Sequence, residues 1–333
     1  MDGLPPYDDE QVRISLNLEQ HYDAWIGAAR ALADLPYGMH WKTISGREYL
    51  YELRDRAGNG KSLGPRNEET ERVHAEYVEA KLLRKTLRDG AATTLDQTCR
   101  LYRAARLPLL ASEGAKVLRE ADLRGLLGSH LLVVGTNAMP AYALESGGPI
   151  PAPDETDDFD VAWTSERADR GRSPLWDMLQ SVDSTYTVNT ERTFQARNAK
   201  AHEIEILVAP SRAGAFERTD RPVPAPLPEQ EWLLRGEPLT RVVVARDGSP
   251  ARLVVPDPRW FALQKLWMSE KPGRATGKRP KDLRQGMALL DTVWQSMPQY
   301  PLDDAFEASL PEELAPHFNR WRDGATPSIP SWT

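Results

Sequence analysis

The chain has 333 residues, of which 40% are hydrophobic and 27% are charged, and its formal net charge is -7. A chain of this size and composition can bury a sizeable core and is long enough for two ordinary domains. Its single cysteine, Cys99, excludes an intramolecular disulfide and a cysteine-based zinc site, and the acidic balance argues against a wholly basic nucleic-acid binder.

The first residues of the chain predict neither export nor a membrane anchor. The segment MDGLPPYDDEQ carries acids where a signal peptide has bases, and an apolar core segment is missing there. No window of the sequence approaches the roughly 18 uncharged apolar residues of a membrane span. We therefore expect a cytoplasmic protein without membrane partners.

Residues 1–127 are predicted to form helices and one small sheet. Apolar residues recur at helical spacing over 10–35. A second helical pattern begins at Glu68, with Asn67 as its N-cap. Further helices are expected up to about residue 127, with breaks near Gly90 and Pro108.

Residues 40–65 predict an antiparallel hairpin or a three-stranded sheet around a Gly-Asn-Gly turn. This segment mixes bases with aromatic residues: Lys42, Arg47, Arg54, Arg56 and Lys61 with Trp41, Tyr49 and Tyr51. Such a mixture is typical of nucleic-acid-binding surfaces, in which aromatic rings stack on bases. Interleaved acids leave a purely structural sheet as the alternative.

Residues 128–256 alternate short apolar strands with loops. The elements predicted there are a strand from His130 to Gly135, a helix over 136–144 with Pro140 in its first turn, strands over 158–163 and 203–208, and paired strands over 241–245 and 253–255. Residues 257–333 then return to helical patterns. The predicted fold class is α+β, with a central mixed sheet of about five strands, flanked by helices, followed by a C-terminal helical domain.

The motif DDFDVAW contains two acids that matter chemically. Alternate side chains of a strand share a face, so Asp158 and Asp160 are predicted to point the same way, with Phe159 turned towards the core. Two carboxylates this close repel each other unless a cation lies between them, and hard divalent cations bind carboxylate and phosphate oxygens. The alternative is an acidic turn before a strand. Asp154, Glu155 and Asp157 are expected to be solvated loop residues.

The parts that precede this motif favour a nucleotide site. A buried strand ends at Gly135, and Thr136 and Asn137 begin the next helix. Free N–H groups at the start of a helix bind phosphates. The turn Gly135-Thr136-Asn137 is therefore predicted to hold a triphosphate whose metal ion lies on Asp158 and Asp160.

With these motifs the chain resembles the nucleotidyltransferase superfamily that includes DNA polymerase beta, the CCA-adding enzymes and kanamycin nucleotidyltransferase. VVGTNA is similar to the superfamily's strand-to-helix turn, with Thr136 where serine is usual, and DDFDVAW is similar to its pair of acids. HEIEILV is similar to the strand of the third carboxylate. Glu205 is the better match there, and Glu203, on the same face, is the alternative.

This resemblance implies a palm domain and transfer of a nucleoside monophosphate from an NTP to a hydroxyl group, a reaction of the EC 2.7.7 type. It also implies Mg²⁺ or Mn²⁺ bound by Asp158, Asp160 and Glu205, with Glu205 helping to deprotonate the acceptor. Lysines would then neutralise the triphosphate. Lys265 and Lys281 are the main candidates in the basic stretch 259–284, with Arg274, Lys278 and Arg279 behind them. The alternative is a solvated, lysine-rich loop and helix.

Over residues 40–295 the chain is also similar to a bacterial group of nucleotidyltransferase-fold proteins. More distantly it resembles toxins of abortive-infection systems. RNA, tRNA in particular, is the expected acceptor, and an antitoxin protein is a possible partner. Two alternatives remain open: transfer to a small molecule or a protein, and a non-catalytic nucleic-acid-binding scaffold with the same fold. His130 and His202, which flank the predicted site strands, are expected to be packed residues rather than catalysts.

Overall fold

The structure is a computed structural model that describes residues 5–152, 158–166, 174–216 and 221–324, except for the side chains of residues 158 and 174. Contacts between residues divide the chain into two compact units. The smaller unit is formed by residues 17–101, and the larger unit by residues 1–16 and 102–333. The three-part division expected from the sequence stays a prediction.

Helices contribute to both units. Within the described residues their bounds are α1 Asp9–Ala33, α2 Glu68–Ala104, α3 Ser112–Leu123, α4 Met139–Glu145, α5 Pro174–Val182, α6 Pro258–Glu270, α7 Arg279–Ser296, α8 Asp304–Ala308 and α9 Ala315–Gly324. None of the helices in these ranges combines the length and the apolar composition that crossing a membrane requires.

Helix α2 begins as predicted and continues further than predicted. The Asn67 side chain accepts a hydrogen bond from the Thr70 N–H at 2.9 Å, and the Thr70 hydroxyl accepts one from the Asn67 N–H. The break expected near Gly90 is wrong, because the helix runs through this position to Ala104. Gly90 is exposed, and a glycine in an exposed helix interior costs only about 1 kcal/mol relative to alanine.

The smaller unit contains a three-stranded antiparallel sheet. Its strands are β1 Gly38–Ile44, β2 Arg47–Leu53 and β3 Gly60–Pro65, with β2 in the centre. The sheet predicted for residues 40–65 is thus confirmed in its three-stranded form.

The larger unit is built on a six-stranded mixed sheet, here called the central sheet. Its strands are β5 Leu131–Val134, β6 Asp158–Trp163, β7 Thr187–Val188, β8 Gln195–Arg197, β9 Glu203–Val208 and β10 Ala225–Pro226. They lie in the order β5-β6-β9-β8-β7, and β10 pairs with the end of β9. β6 and β9 are parallel, whereas β5 and β8 run antiparallel to their neighbours.

A second sheet of the larger unit has the order β12-β11-β4, formed by Leu109–Leu110 (β4), Leu239–Ala245 (β11) and Pro250–Val255 (β12). β11 and β12 pair in antiparallel orientation, which confirms the paired strands predicted over 241–245 and 253–255. The helix expected over 136–144 begins instead as a 3-10 turn, Gly135–Ala138, which leads directly into α4. Mixed sheets with packed helices confirm the α+β fold class.

Candidate active site

Two acidic residues lie side by side on the central sheet. β6 and β9 are parallel neighbours, and their register pairs Asp160 with Glu205. Directly paired residues of adjacent strands project from the same face of a sheet, so both carboxylates belong to one face. Phe159, Ile204 and Ile206 alternate with these acids and are buried in the core on the other face.

The register places a second acidic pair one step earlier on the same strands. Asp158 is the partner of Glu203, and by alternation both belong to the face of Asp160 and Glu205. The side chain of Asp158 lies outside the described part of the structure, as do Asp154, Glu155 and Asp157. The predicted roles of these four residues stay predictions.

The turn after β5 lies against the carboxylate of Asp160. Gly135 has a positive φ of 67°, and a Cβ atom added there would lie 2.3 Å from Asp160 Oδ2. Only glycine combines this backbone conformation with so close an approach. Thr136 and Asn137, the next two residues of this turn, are buried, and the Thr136 hydroxyl accepts a hydrogen bond from Gln285 Nε2 at 3.3 Å. The turn predicted to hold the triphosphate therefore lies directly against Asp160.

Gly135, Asp160 and Glu205 line one cleft of about 260 Å³. The lining is completed by Val134 and Leu207 of the sheet, Arg192 and Phe194 of the segment before β8, Ala225, Leu227, Glu229 and Gln230 of β10 and the turn after it, and Gln264, Lys265, Met268, Arg274 and Lys278 of α6 and the loop that follows it. These lining residues are here called the cleft. They include acids of the central sheet together with cations of α6 and of the loops.

Arg192 is a cleft residue that the sequence did not indicate. Its guanidinium donates to Glu205 Oε1 at 2.8 Å, and the buried Gln195 amide donates to the same oxygen at 3.2 Å. Gln195 also donates to Glu203 at 3.1 Å. Arg192 stands in a loop, without a periodic pattern or motif, so only the pairing of β8 with β9 brings it to the acids.

The predicted cations divide between the cleft and its surroundings. Lys265 lines the cleft, yet it is almost fully buried and donates to Asp282 Oδ1 at 2.9 Å. Arg274 reaches the other oxygen of Asp282 at 2.8 Å. Lys278 lines the cleft, whereas Lys281, half-buried on α7, is outside the described lining. The structure therefore places Arg274 and Lys278, the lesser candidates, in the same cleft lining as the acids, and Lys281 outside that lining.

A family model described as Nucleotidyltransferase matches residues 112–311, which is more than half of the chain. The chain belongs to this nucleotidyltransferase family. A solved structure, an antigenic nucleotidyltransferase-like protein from Paracoccidioides brasiliensis, is similar at 16% identity over 65% of this chain and 92% of that chain, with a TM-score of 0.34. No curated protein matches. The family supplies the general activity, transfer of a nucleoside monophosphate from a nucleoside triphosphate.

The acids of this nucleotidyltransferase have the chemistry of a site for a hard cation. Mg²⁺ and Mn²⁺ prefer carboxylate oxygens, which Asp160 and Glu205 supply as neighbours. Among the side chains described, which exclude that of Asp158, no three acidic, histidine or cysteine residues converge on one point. The register places Asp158 two residues before Asp160 on β6, and its role as a third ligand stays a prediction.

The nucleotidyltransferase also has two histidines near its site strands. His130 lies 2.7 Å from the Ser129 hydroxyl and packs on the ring of Trp163. His202 is hydrogen-bonded to the Tyr186 hydroxyl at 2.8 Å, and burial lowers the pKa of His202, which favours its neutral form. Both histidines lie outside the described lining of the cleft. Their contacts are with neighbouring packed residues.

Proposed function

We propose that this protein transfers a nucleoside monophosphate from an NTP to a hydroxyl group of RNA, with tRNA as the first candidate acceptor. One observation carries the proposal: Asp160 and Glu205 lie side by side in a cleft closed by the Gly135 turn on one side and by cations on another. This arrangement suits a polyphosphate whose negative charge needs both protein cations and bound metal ions.

In the proposed reaction the acceptor oxygen forms a bond to the α-phosphorus. The bond between the α-phosphorus and its bridging oxygen breaks, and pyrophosphate leaves with that electron pair. We assign the acceptor's proton to Glu205, a carboxylate that lines the cleft next to Asp160. Arg192, Arg274 and Lys278 are assigned to the phosphate groups, whose negative charge they balance in the bound triphosphate.

Asp158, Asp160 and Glu205 would hold Mg²⁺ or Mn²⁺, and the bound cation would supply neutralisation of the triphosphate charge. Gly135, Thr136 and Asn137 would contact the phosphates, since their turn lies against Asp160. Lys265 acts indirectly in this proposal. Its ion pair with Asp282 links α6 to α7 and thereby fixes the wall that carries Arg274.

An RNA acceptor is supported by contacts within the small sheet of residues 38–65. The Lys42 ammonium lies 5.4 Å from the centre of the Tyr51 ring, and Arg66, just after the sheet, lies 5.1 Å from the centre of the Trp41 ring. Both rings are only half-buried. Half-exposed aromatic rings beside cations are the surface on which single-stranded nucleic acids stack.

The cellular role that we propose is that of a toxin or defence component, restrained by an antitoxin protein. It is supported by the distant resemblance to abortive-infection toxins. Nucleotides added to tRNA would stop translation, so expression of the active protein should arrest growth. Growth arrest by wild type and by an Asp160→Asn variant alike would contradict this role.

The proposed function is tested by incubation of the purified protein with labelled NTPs and a cell lysate, with Mg²⁺ or with a chelator. We expect cation-dependent label that nuclease removes and protease does not. Asp160→Asn should remove the signal, while Glu237→Gln, an exposed acid, should keep it.

Each other outcome of this assay selects another function. Protease-sensitive label, or label on small molecules, favours the alternative acceptors. Absence of both labelling and NTP binding contradicts nucleotidyl transfer. A cellular effect unchanged in an Asp158→Asn and Asp160→Asn double variant favours the non-catalytic scaffold.

A further inference from the structure

Two residues of the cleft lining each have a buried side-chain oxygen without a hydrogen-bond partner among the described residues. Glu229 and Gln230 belong to the 3-10 turn Pro228–Gln230, which follows β10, and are only 2% and 4% exposed. Glu229 Oε2 and Gln230 Oε1 have no partner among the described residues. A buried acceptor without a partner costs about 1 to 3 kcal/mol, and more when it is charged, so such atoms call for a ligand.

The side chain of Glu229 is held in place by its other oxygen. Lys271, at the end of α6, forms an ion pair with Glu229 Oε1. The Lys271 ammonium also lies 5.3 Å from the centre of the Trp267 ring, and Trp267 packs edge-on against Trp232. One oxygen of the buried Glu229 is therefore fixed by the partly exposed Lys271, and this orients the carboxylate and leaves Oε2 for another donor.

The wall around these two residues differs from the rest of the cleft. The segment just before them contributes Ala225 and Leu227 to the lining, and α6 contributes Met268, all of which are apolar. A phosphate group is excluded there, because it would meet a buried carboxylate oxygen. A flat, largely apolar group that carries N–H donors at its edge fits this wall, and the nucleobase is the part of a nucleotide with these properties.

We infer that Glu229 and Gln230 accept hydrogen bonds from the exocyclic amino group of the substrate's nucleobase. The inference rests on the proposed function, since it names the class of triphosphate that the same cleft takes: ATP, GTP or CTP rather than UTP. Uracil has no exocyclic amino group, and its single N3–H lies between two carbonyl oxygens, so it could satisfy at most one of the two acceptors and would turn a carbonyl oxygen towards the other. Sites built for a hydrogen-bond donor reject analogues without it by large factors, up to about 10⁴-fold.

Equilibrium binding of non-hydrolysable analogues of the four NTPs, measured with Mg²⁺ present, tests the inference. We expect wild type to bind the three amino-bearing analogues at least about tenfold more tightly than the UTP analogue. Gln230→Ala should reduce this ratio to about threefold or less, because one of the two acceptors is lost. Glu237→Gln, which changes an exposed acid beyond the cleft lining, should keep the wild-type ratio.

Glu229→Gln extends the test, with thermal melts to confirm folding, because this change also weakens the ion pair with Lys271. Gln230→Ala leaves that ion pair intact and decides the matter if the Glu229 variant does not fold. Analogues that lack the 2′ or the 3′ hydroxyl separate the base from the ribose as the source of the donors. A binding loss that depends on these hydroxyls and not on the base overturns the inference.

Equal binding of all four analogues also overturns the inference but leaves the proposed function intact. If none of the four analogues binds, the proposed function itself fails, and the inference fails with it.

Discussion

The cleft has two charged walls that are held in different ways. The acidic wall, Asp160 and Glu205, stands on two paired strands, and its charges face the cleft from one side of a sheet. The basic wall comes from α6 and the loop that leads to α7. Two of its cations, Lys265 and Arg274, already share Asp282, so the trio carries a net charge of +1 rather than +2. On the acidic wall Glu205 is paired as well, with Arg192, but that cation is half exposed, whereas the Lys265–Asp282 pair of the basic wall is buried and serves the fold.

This difference predicts that changes to the acidic wall alter chemistry and that changes to Asp282 alter stability. The part of this prediction that concerns the acidic wall is tested most directly by a comparison of Glu205 with Glu203. Glu205→Gln should lower the rate of nucleotidyl transfer by about 10³-fold, because it removes a carboxylate that we assign as base and ligand. Single-turnover incorporation of labelled NTP measures this rate.

Glu203→Gln is the matched control for Glu205. Glu203 lies on the same face of the same strand as Glu205, but it is outside the described lining of the cleft. Its Oε1 atom lies 3.6 Å from Arg197 Nε. Its replacement should cost less than about tenfold in rate. A larger loss for Glu203→Gln than for Glu205→Gln would exchange the roles of the two residues.

On the basic wall, Asp282→Asn should destabilise the fold by about 3 kcal/mol. The change leaves Lys265 with 7% of its side chain exposed and without a counter-charge from this position. Urea unfolding of the variant, next to Glu313→Gln as an exposed acid, measures the loss of free energy. A loss as small as that of the control would mean that Lys265 keeps its charge balanced without Asp282.

The acidic wall stands on strands, whereas the basic wall stands on a helix and its loop. The sequence predicts the residues of the first wall better than those of the second. The alternation in DDFDVAW and EIEILV predicts both strands and the faces of their acids, and the observed bounds of β6 and β9 coincide with those predicted. Helical spacing is less informative about a site, because it groups residues on one face without naming what that face meets. Lys281 and Gln285 are four residues apart on α7, a spacing that puts them on one face of the helix, yet Gln285 is fully buried while Lys281 is half-buried and lies outside the cleft lining.

Several cleft residues had no signal that sequence reasoning could use. Arg192, Glu229 and Gln230 stand in loops and short turns whose position depends on the pairing of β8 and β10 with β9. Those two strands are three and two residues long, too short for a periodic pattern. Gly90 shows the opposite error, in which a local helix-breaking signal was outweighed by the surrounding helix.

The approach of the Gly135 turn to the acidic wall gives a third prediction. Gly135→Ala should cost about 1 to 2 kcal/mol for a left-handed backbone, and additional free energy because its methyl group would collide with the Asp160 carboxylate. Gly147→Ala provides the control, since Gly147 has a φ of 70° but open space around it. The loss of unfolding free energy in Gly147→Ala measures the backbone strain alone, and the additional loss in Gly135→Ala measures the collision with Asp160. Equal losses would mean that the turn moves away from Asp160 without loss of stability.

The smallest effect expected concerns the lysines of the basic wall. Lys278→Met should raise the KM for the triphosphate about tenfold with little change in kcat, because a cation of the cleft lining is lost from ground-state binding. Lys281→Met removes a charge of the same sign three residues away, outside the described lining, and should change KM by less than about twofold. Initial rates at varied NTP concentration and at two ionic strengths measure both effects. If Lys281 proved the more important of the two, α7 would have to turn towards the triphosphate when it binds, and the basic wall would be a closing element rather than a fixed one.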